Sequence, residues 1–159
     1  MSAQNGIRNP LVERANDTHI DDVTKLFDAY RVFYQQPSDP AAARAFVDAR
    51  LQKKDSVIFL ASAELDGKRV ALGFTQLYPA YSSVSMKRLW ILNDLYVDKR
   101  ARHQGIARAL IDRAKQLAWD TEAKGLILET AIDNHEAQAL YDSYGFEKDT
   151  EFFRYNLDV

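Results

Sequence analysis

The stretch that most constrains this chain is a strand-like run that ends in a basic, glycine-containing turn and continues as a helix. Leu89-Trp90-Ile91-Leu92-Asn93-Asp94-Leu95-Tyr96-Val97 is mostly apolar. Arg100-Ala101-Arg102-His103-Gln104-Gly105-Ile106-Ala107-Arg108 follows, and Ile106, Leu110, Ala114, Leu117 and Ala118 then recur at helical spacing. A helix that starts where the chain leaves a sheet presents unsatisfied N–H groups and the positive end of its dipole. Such a start binds phosphate or pyrophosphate. The loop is no Walker motif, since no Gly-Lys-Ser/Thr follows, and it lacks the glycine triplet of the dinucleotide fingerprint. Taken alone, it is as compatible with an ordinary basic helix start as with an anion site.

The rest of the chain frames this unit. Residues 1–6 read as a loose tail, and Leu11 to Ala15 as a short first strand. Asp17-Thr18 and Asp21-Asp22 supply cap and first-turn carboxylates for a helix carrying Val23, Leu26, Phe27, Tyr30 and Tyr34. Pro37 stops it, and Ser38-Asp39-Pro40 starts a second helix to about Lys53, with Ala42, Ala45, Phe46, Ala49 and Leu51 as its expected buried side. Two strands, Ser56–Leu65 and Arg69–Tyr78, meet at the hairpin signal Asp66-Gly67. Pro79 to Lys87 reads as a polar loop before the Leu89–Val97 strand. Gly125 ends the central helical element, and Leu126–Thr130 is a short strand, parallel to its predecessor because a helix separates them. Asn134 caps a helix through Ala137, Leu140, Tyr141 and Tyr144, and Phe152–Leu157 reads as a last strand. The expected class is α+β: one mixed central sheet with helices on both faces, in a single domain over 1–159.

Composition narrows the function classes. Net charge is −2, so no global basic field invites nucleic acid or an anionic membrane, although Arg100, Arg102, His103 and Arg108 form a local patch. The absence of cysteine removes disulfides, thiolate metal sites and a cysteine nucleophile together. The histidines, His19, His103 and His135, are too scattered to share a metal ion. No apolar run reaches the length of a membrane span, and the first ten residues lack the shape of a signal peptide. A cytoplasmic protein is the expectation.

A second constellation gives the loop its meaning. Asn134-x-x-Ala137-x-x-x-Tyr141-x-x-x-Gly145-Phe146 lies about thirty residues downstream and puts Asn134, Ala137 and Tyr141 on one helix face. Together with Arg102-x-x-Gly105-x-Ala107, this run resembles the acetyl-CoA site of the GNAT N-acetyltransferase superfamily. The resemblance covers Leu89 to Phe146. The strand end Asn93-Asp94-Leu95-Tyr96-Val97 is similar to the small-molecule branch that includes spermidine/spermine-type enzymes, although the glutamate that precedes the aspartate there is absent here. The resemblance implies acetyl-CoA as cofactor, with Arg102, His103, Gln104, Gly105, Ile106, Ala107 and Arg108 around its pyrophosphate. It implies backbone pairing of Leu95, Tyr96 and Val97 with the pantetheine arm, contacted also by Asn134, with Ala137 as a further cofactor-binding residue. Tyr141 matches the position that protonates the departing thiolate.

The acceptor side is less determined. A free alkylamine has a pKa near ~10.4, so its proton must be taken by a base or a water relay. Asp94 is the remaining carboxylate, as base or as anchor for a cationic acceptor. Side chains alternate along a strand, so Asn93 and Asp94 face the same site only if a bulge intervenes. Tyr30, Tyr34 and Trp90 are the candidate acceptor contacts, with Arg31, Phe33 and the loop around Tyr81 to Ser85 beside them; aromatics at helical spacing are equally core residues. The expected reaction is direct attack by the primary amine of a small molecule in a ternary complex. The alternatives are acetylation of a protein lysine or N-terminus, and a non-catalytic acyl-CoA-binding module. The apolar last strand and the hairpin edge leave room for a homodimer.

Overall fold

The computed structural model describes residues 6, 7 and 9–159, so most of the expected N-terminal tail lies outside the described residues. The chain divides into two compact units, Met1–Leu128 and Glu129–Val159. The first contains a five-stranded sheet in the order β1-β2-β3-β4-β5: β1 Leu11–Arg14, β2 Val57–Leu65, β3 Lys68–Ser82, β4 Lys87–Val97 and β5 Gly125–Ile127. Its first four strands pair antiparallel, and β5 joins β4 in parallel after the crossover helix α3, Ile106–Asp120. The mixed sheet flanked by helices is the expected α+β class.

Two helices, α1 Ile20–Phe33 and α2 Pro40–Lys53, cover one face of the sheet. Val23, Leu26 and Phe27 of α1 pack with Ile58, Leu60 and Phe74 of the sheet in one buried cluster. The capping residue ahead of α1 is Asn16, not the aspartates: its side chain accepts from the Thr18 N–H at 2.9 Å and holds a single 3-10 turn, Asp17–His19. In α2, Asp39 caps at Ala42 N and Pro40 takes the first position, as the sequence predicts. The buried side is Ala43 and Val47, however, and Phe46 is 38% exposed. Apolar residues surround this alanine-rich helix, so spacing alone does not select a face.

On the opposite face, α3 buries Ile106, Leu110, Ile111, Ala114 and Ala118. A Cβ at Gly73 would lie 2.7 Å from the Tyr96 carbonyl oxygen and 3.2 Å from Ile106 Cγ2. Glycine at this point lets the start of α3 approach the sheet closely. The Asp66-Gly67 hairpin forms with both residues at positive φ, 51° and 71°. The expected polar loop after Tyr78 is largely strand instead. β3 continues to Ser82 and β4 begins at Lys87, leaving a tight turn at 83–86. Among the described residues no helix is long and apolar enough to cross a membrane.

The second unit contains α4, His135–Ser143. Asn134 caps it by accepting from Ala137 N at 3.1 Å, and Gly145 (φ 83°) closes it, with the Phe146 N–H returning to the Tyr141 carbonyl. The expected last strand, Phe152–Leu157, is not a strand. Phe153, Tyr155 and Leu157 have strand-like alternation, but they are 88–89% exposed and no ladder receives them. Side-chain preference without a partner does not make a strand.

Replacing Gly73 by alanine forces the Tyr96 carbonyl and Ile106 apart. Urea denaturation is expected to show a loss of about 1–3 kcal/mol for this one methyl group, as for other overpacked cores.

Candidate active site

The turn that follows β4 is built from its own charges. Asp98 accepts from the Arg100 backbone N–H at 2.9 Å and from its guanidinium at 2.9 Å through each carboxylate oxygen. These bonds hold the Asp98 carboxyl below the usual carboxylate range. They also commit Arg100 to the turn, whereas Arg102 donates to the Val97 carbonyl at 3.3 Å. The chain then passes His103 (φ 59°) and Gly105 (φ 80°) into α3. Gly105 brings no side chain to cap the first turn, and a Cβ there would meet no atom within 4 Å. The helix start is therefore open to an anion.

The parallel ladder ends early. β5 pairs with Leu89, Trp90 and Ile91 of β4 and goes no further. From Leu92 to Val97, β4 keeps β3 on one edge and has no strand partner on the other among the described residues. Free backbone polar groups at such a break take an extended ligand as an added strand would. Leu95, Tyr96 and Val97 lie on this edge and lead straight to the turn at Arg102–Ala107. An amide-bearing arm tipped by a pyrophosphate matches both features.

A bulge governs the third part. Gln76 pairs with Asp94, but the next β3 residue, Leu77, pairs with Leu92. Asn93 is the extra residue, and the bulge brings it to Asp94: its Nδ2 donates to Asp94 Oδ1 at 3.1 Å. Gln76 Nε2 donates to Asp94 Oδ2 at 2.8 Å, and Thr75 Oγ1 donates to the Asp94 carbonyl at 2.8 Å. Asp94 is 5% exposed and makes no ion pair among the described residues.

Tyr30 of α1 lies beside this carboxylate, and further aromatic rings pack against Tyr30. Tyr30 packs edge-on to Tyr34 (5.0 Å), to Phe74 (5.8 Å) and to Tyr96 (6.4 Å), and Phe33 lies 6.5 Å from Tyr96. The guanidinium of Arg102 sits over the Phe33 ring at 5.4 Å, which ties the end of α1 to the anion turn. Burial first, and then the Asp94 charge, raise the Tyr30 hydroxyl far above its ordinary pKa. The same two causes push Tyr78 up to about 12, with Arg50 opposing. Both hydroxyls are thus proton donors at neutral pH, not bases.

The structure brings Asp94, Tyr30, Tyr34 and Tyr96 together and leaves Trp90 out. The Trp90 indole is buried on the α3 side and donates to Thr121 Oγ1 at 2.9 Å. The tip around Tyr81 is also elsewhere: Tyr81 pairs with Arg88, about 20 Å along β4 from Asp94 at the usual strand rise. Asn134, Ala137 and Tyr141 belong to the second unit, where the Tyr141 ring packs against Phe146 at 5.7 Å. Gln76 and Tyr78 were hidden in the sequence. A glutamine inside the apolar run Leu72–Leu77 was the one signal of the first.

Comparison with known proteins agrees with this arrangement. The family model described as acetyltransferase (GNAT) family matches residues 21–146. An uncharacterized N-acetyltransferase of Bacillus subtilis (strain 168), YhfO, is 47% identical over 86% of this chain and 89% of its own length. A probable acetyltransferase of Haemophilus influenzae is 32% identical over 84% of this chain and 88% of its own. The crystal structure of a probable acetyltransferase superposes with a TM-score of 0.86 at 44% identity, covering 94% of this chain and 97% of that one. The chain belongs to the GNAT family of acetyltransferases. It is an acetyl-CoA-dependent enzyme, and the open helix start and the free β4 edge fit that cofactor.

The raised tyrosines have a consequence at high pH. Their ionisation is suppressed in the folded protein relative to the unfolded chain, where tyrosine titrates near ~10. Their contribution is fully present below pH ~10 and is lost as pH rises through about 12, the Tyr78 value. Urea unfolding across this window is expected to show falling stability, with a shallower fall for Tyr78→Phe.

Proposed function

We propose that this acetyltransferase acetylates the primary amine of a small molecule by direct attack in a ternary complex. The observation that carries this reading is the Asp94 carboxylate: buried, bonded by the neutral side chains of Gln76 and Asn93, without an ion pair among the described residues, and beside Tyr30, against which Tyr34 and Tyr96 pack. A buried charge without a counter-ion is costly, and an incoming ammonium group supplies one. Aromatic rings add favourable electrostatics for the same cation. The confined setting favours a slender amine over a folded protein surface.

Acetyl-CoA, when bound, supplies an acetyl thioester as the activated group. The chain's own residues do the rest. The first-turn N–H groups of α3, with the turn from Arg102 to Arg108, hold the pyrophosphate, and His103 and Gln104 border it. Leu95, Tyr96 and Val97 align the pantetheine arm along the β4 edge, with Asn134 and Ala137 as further contacts. Asp94 receives the amine and takes its proton, directly or through one water. The backbone of the β4 edge donates to the acyl oxygen, and Tyr141 gives a proton to the departing sulfur. A cytoplasmic homodimer is part of this proposal, supported by the exposed Phe152, Phe153, Tyr155 and Leu157.

Thiol release from acetyl-CoA across polyamines, amino acids, aminoglycosides and lysine peptides is the deciding assay. A small amine is expected to turn over best, with Tyr141→Phe and Asp94→Asn each lowering kcat by about 10²–10⁴-fold, the usual range for acid–base groups. Full activity in Tyr141→Phe removes its role as acid. A raised amine KM with unchanged kcat in Asp94→Asn makes that residue an anchor instead of a base.

A further inference from the structure

Asp94 is held in place by side chains that have no part in the proton transfers. Gln76 is 1% exposed at the centre of β3, between Thr75 and Leu77, both 0% exposed. An amide buried this deeply must satisfy both its donor and its acceptor ends. Its Oε1 accepts from Ser56 Oγ at 2.9 Å, and its Nε2 donates to Asp94 Oδ2 at 2.8 Å. The order of atoms has one consistent arrangement. Flipping the amide would set its oxygen against the carboxylate, so Asp94 selects this orientation, and the Ser56 hydroxyl anchors the far end of the amide by donating to Oε1. Asn93, presented by the bulge, holds the other oxygen at 3.1 Å.

The neutrality of these partners matters. A lysine or arginine at position 76 would fix the carboxylate equally well and cancel the charge that draws an amine. A glutamine fixes the geometry and leaves the charge intact.

We propose that Gln76, anchored by Ser56, is a positioning residue for acetyl transfer: it locks the Asp94 carboxylate in the orientation in which it meets the acceptor amine. The proposal rests on Asp94 being the amine-facing carboxylate. A glutamine that only filled the core would be replaceable by leucine of similar size with an effect on stability alone.

The test combines crystal structures with a double-mutant cycle. Crystals of Gln76→Leu and Ser56→Ala are expected to show the Asp94 carboxylate turned from its wild-type rotamer or split between two. Kinetics use the amine that turns over best in the panel above. Gln76→Leu is expected to lower kcat/KM for that amine about 10- to 100-fold, the scale of a small misplacement of a reacting group, with the KM for acetyl-CoA unchanged. In an Asp94→Asn background the same substitution should cost nothing more, because there is no carboxylate left to position. Ser56→Ala, a smaller change at the border of the core, should act in the same direction more weakly, and it carries the test alone if Gln76→Leu does not fold. An unchanged Asp94 rotamer in the folded variants, or losses that multiply in the double mutant, overturns the proposal. If Asp94→Asn itself keeps full turnover, the underlying reading of Asp94 fails. If Asp94→Asn is inactive while Gln76→Leu and Ser56→Ala behave as wild type, only the positioning role fails.

Discussion

The bulge at Asn93 is the constraint on which the rest of the site depends. Above it, Leu92 and Trp90 lie on the α3 side of β4; below it, Asp94 and Tyr96 lie on the α1 side. One extra residue thus exchanges the faces of a strand. Without it, the carboxylate would turn to the α3 face of the sheet, away from its Gln76 donor. With it, Asp94 stands among α1 aromatics, and Asn93 folds back to share the burden of holding it. The same strand loses its parallel neighbour at Ile91, immediately before the bulge. The end of the parallel pairing and the change of face thus fall within a few residues of each other.

Much of this was legible in the sequence. Asp66-Gly67 announced its hairpin, Asp39-Pro40 announced α2, and Asn134 announced α4, because each is a local rule of backbone chemistry obeyed within a few residues. The turn at Arg102–Ala107 was legible for the same reason. What escaped depended on distant partners. Trp90 reads like Tyr30 in a sequence, yet a bulge three residues away decides which face it takes. Gln76 becomes meaningful only when Asp94 is across from it, and Phe152–Leu157 has the alternation of a strand without a ladder to join. The buried face of α2 could not be read because its alanines offer no preferred side.

The cluster also shows how polar and apolar burial cooperate. Phe74, fully buried, supports the Tyr30 ring from beneath, and Tyr30 in turn caps the approach to Asp94. Apolar packing here excludes water from a carboxylate, and hydrogen bonds from Gln76 and Asn93 keep that carboxylate tolerable. Neither contribution works alone: apolar packing by itself would expel the charge, and hydrogen bonds by themselves would leave it solvated.

The exposed end of α1 differs in kind from the buried centre of the sheet. Phe33 and Tyr34 are 53% and 50% exposed; they pack edge-on to one another, and Phe33 also lies under the Arg102 guanidinium. Substitutions there cost little folding free energy, whereas a change at Gln76 or Asp94 disturbs the centre of the sheet. The molecule therefore separates an evolvable margin from a fixed chemical centre. Descendants of this chain can vary the last turn of α1 while the hydrogen-bonded centre around Asp94 is inherited intact.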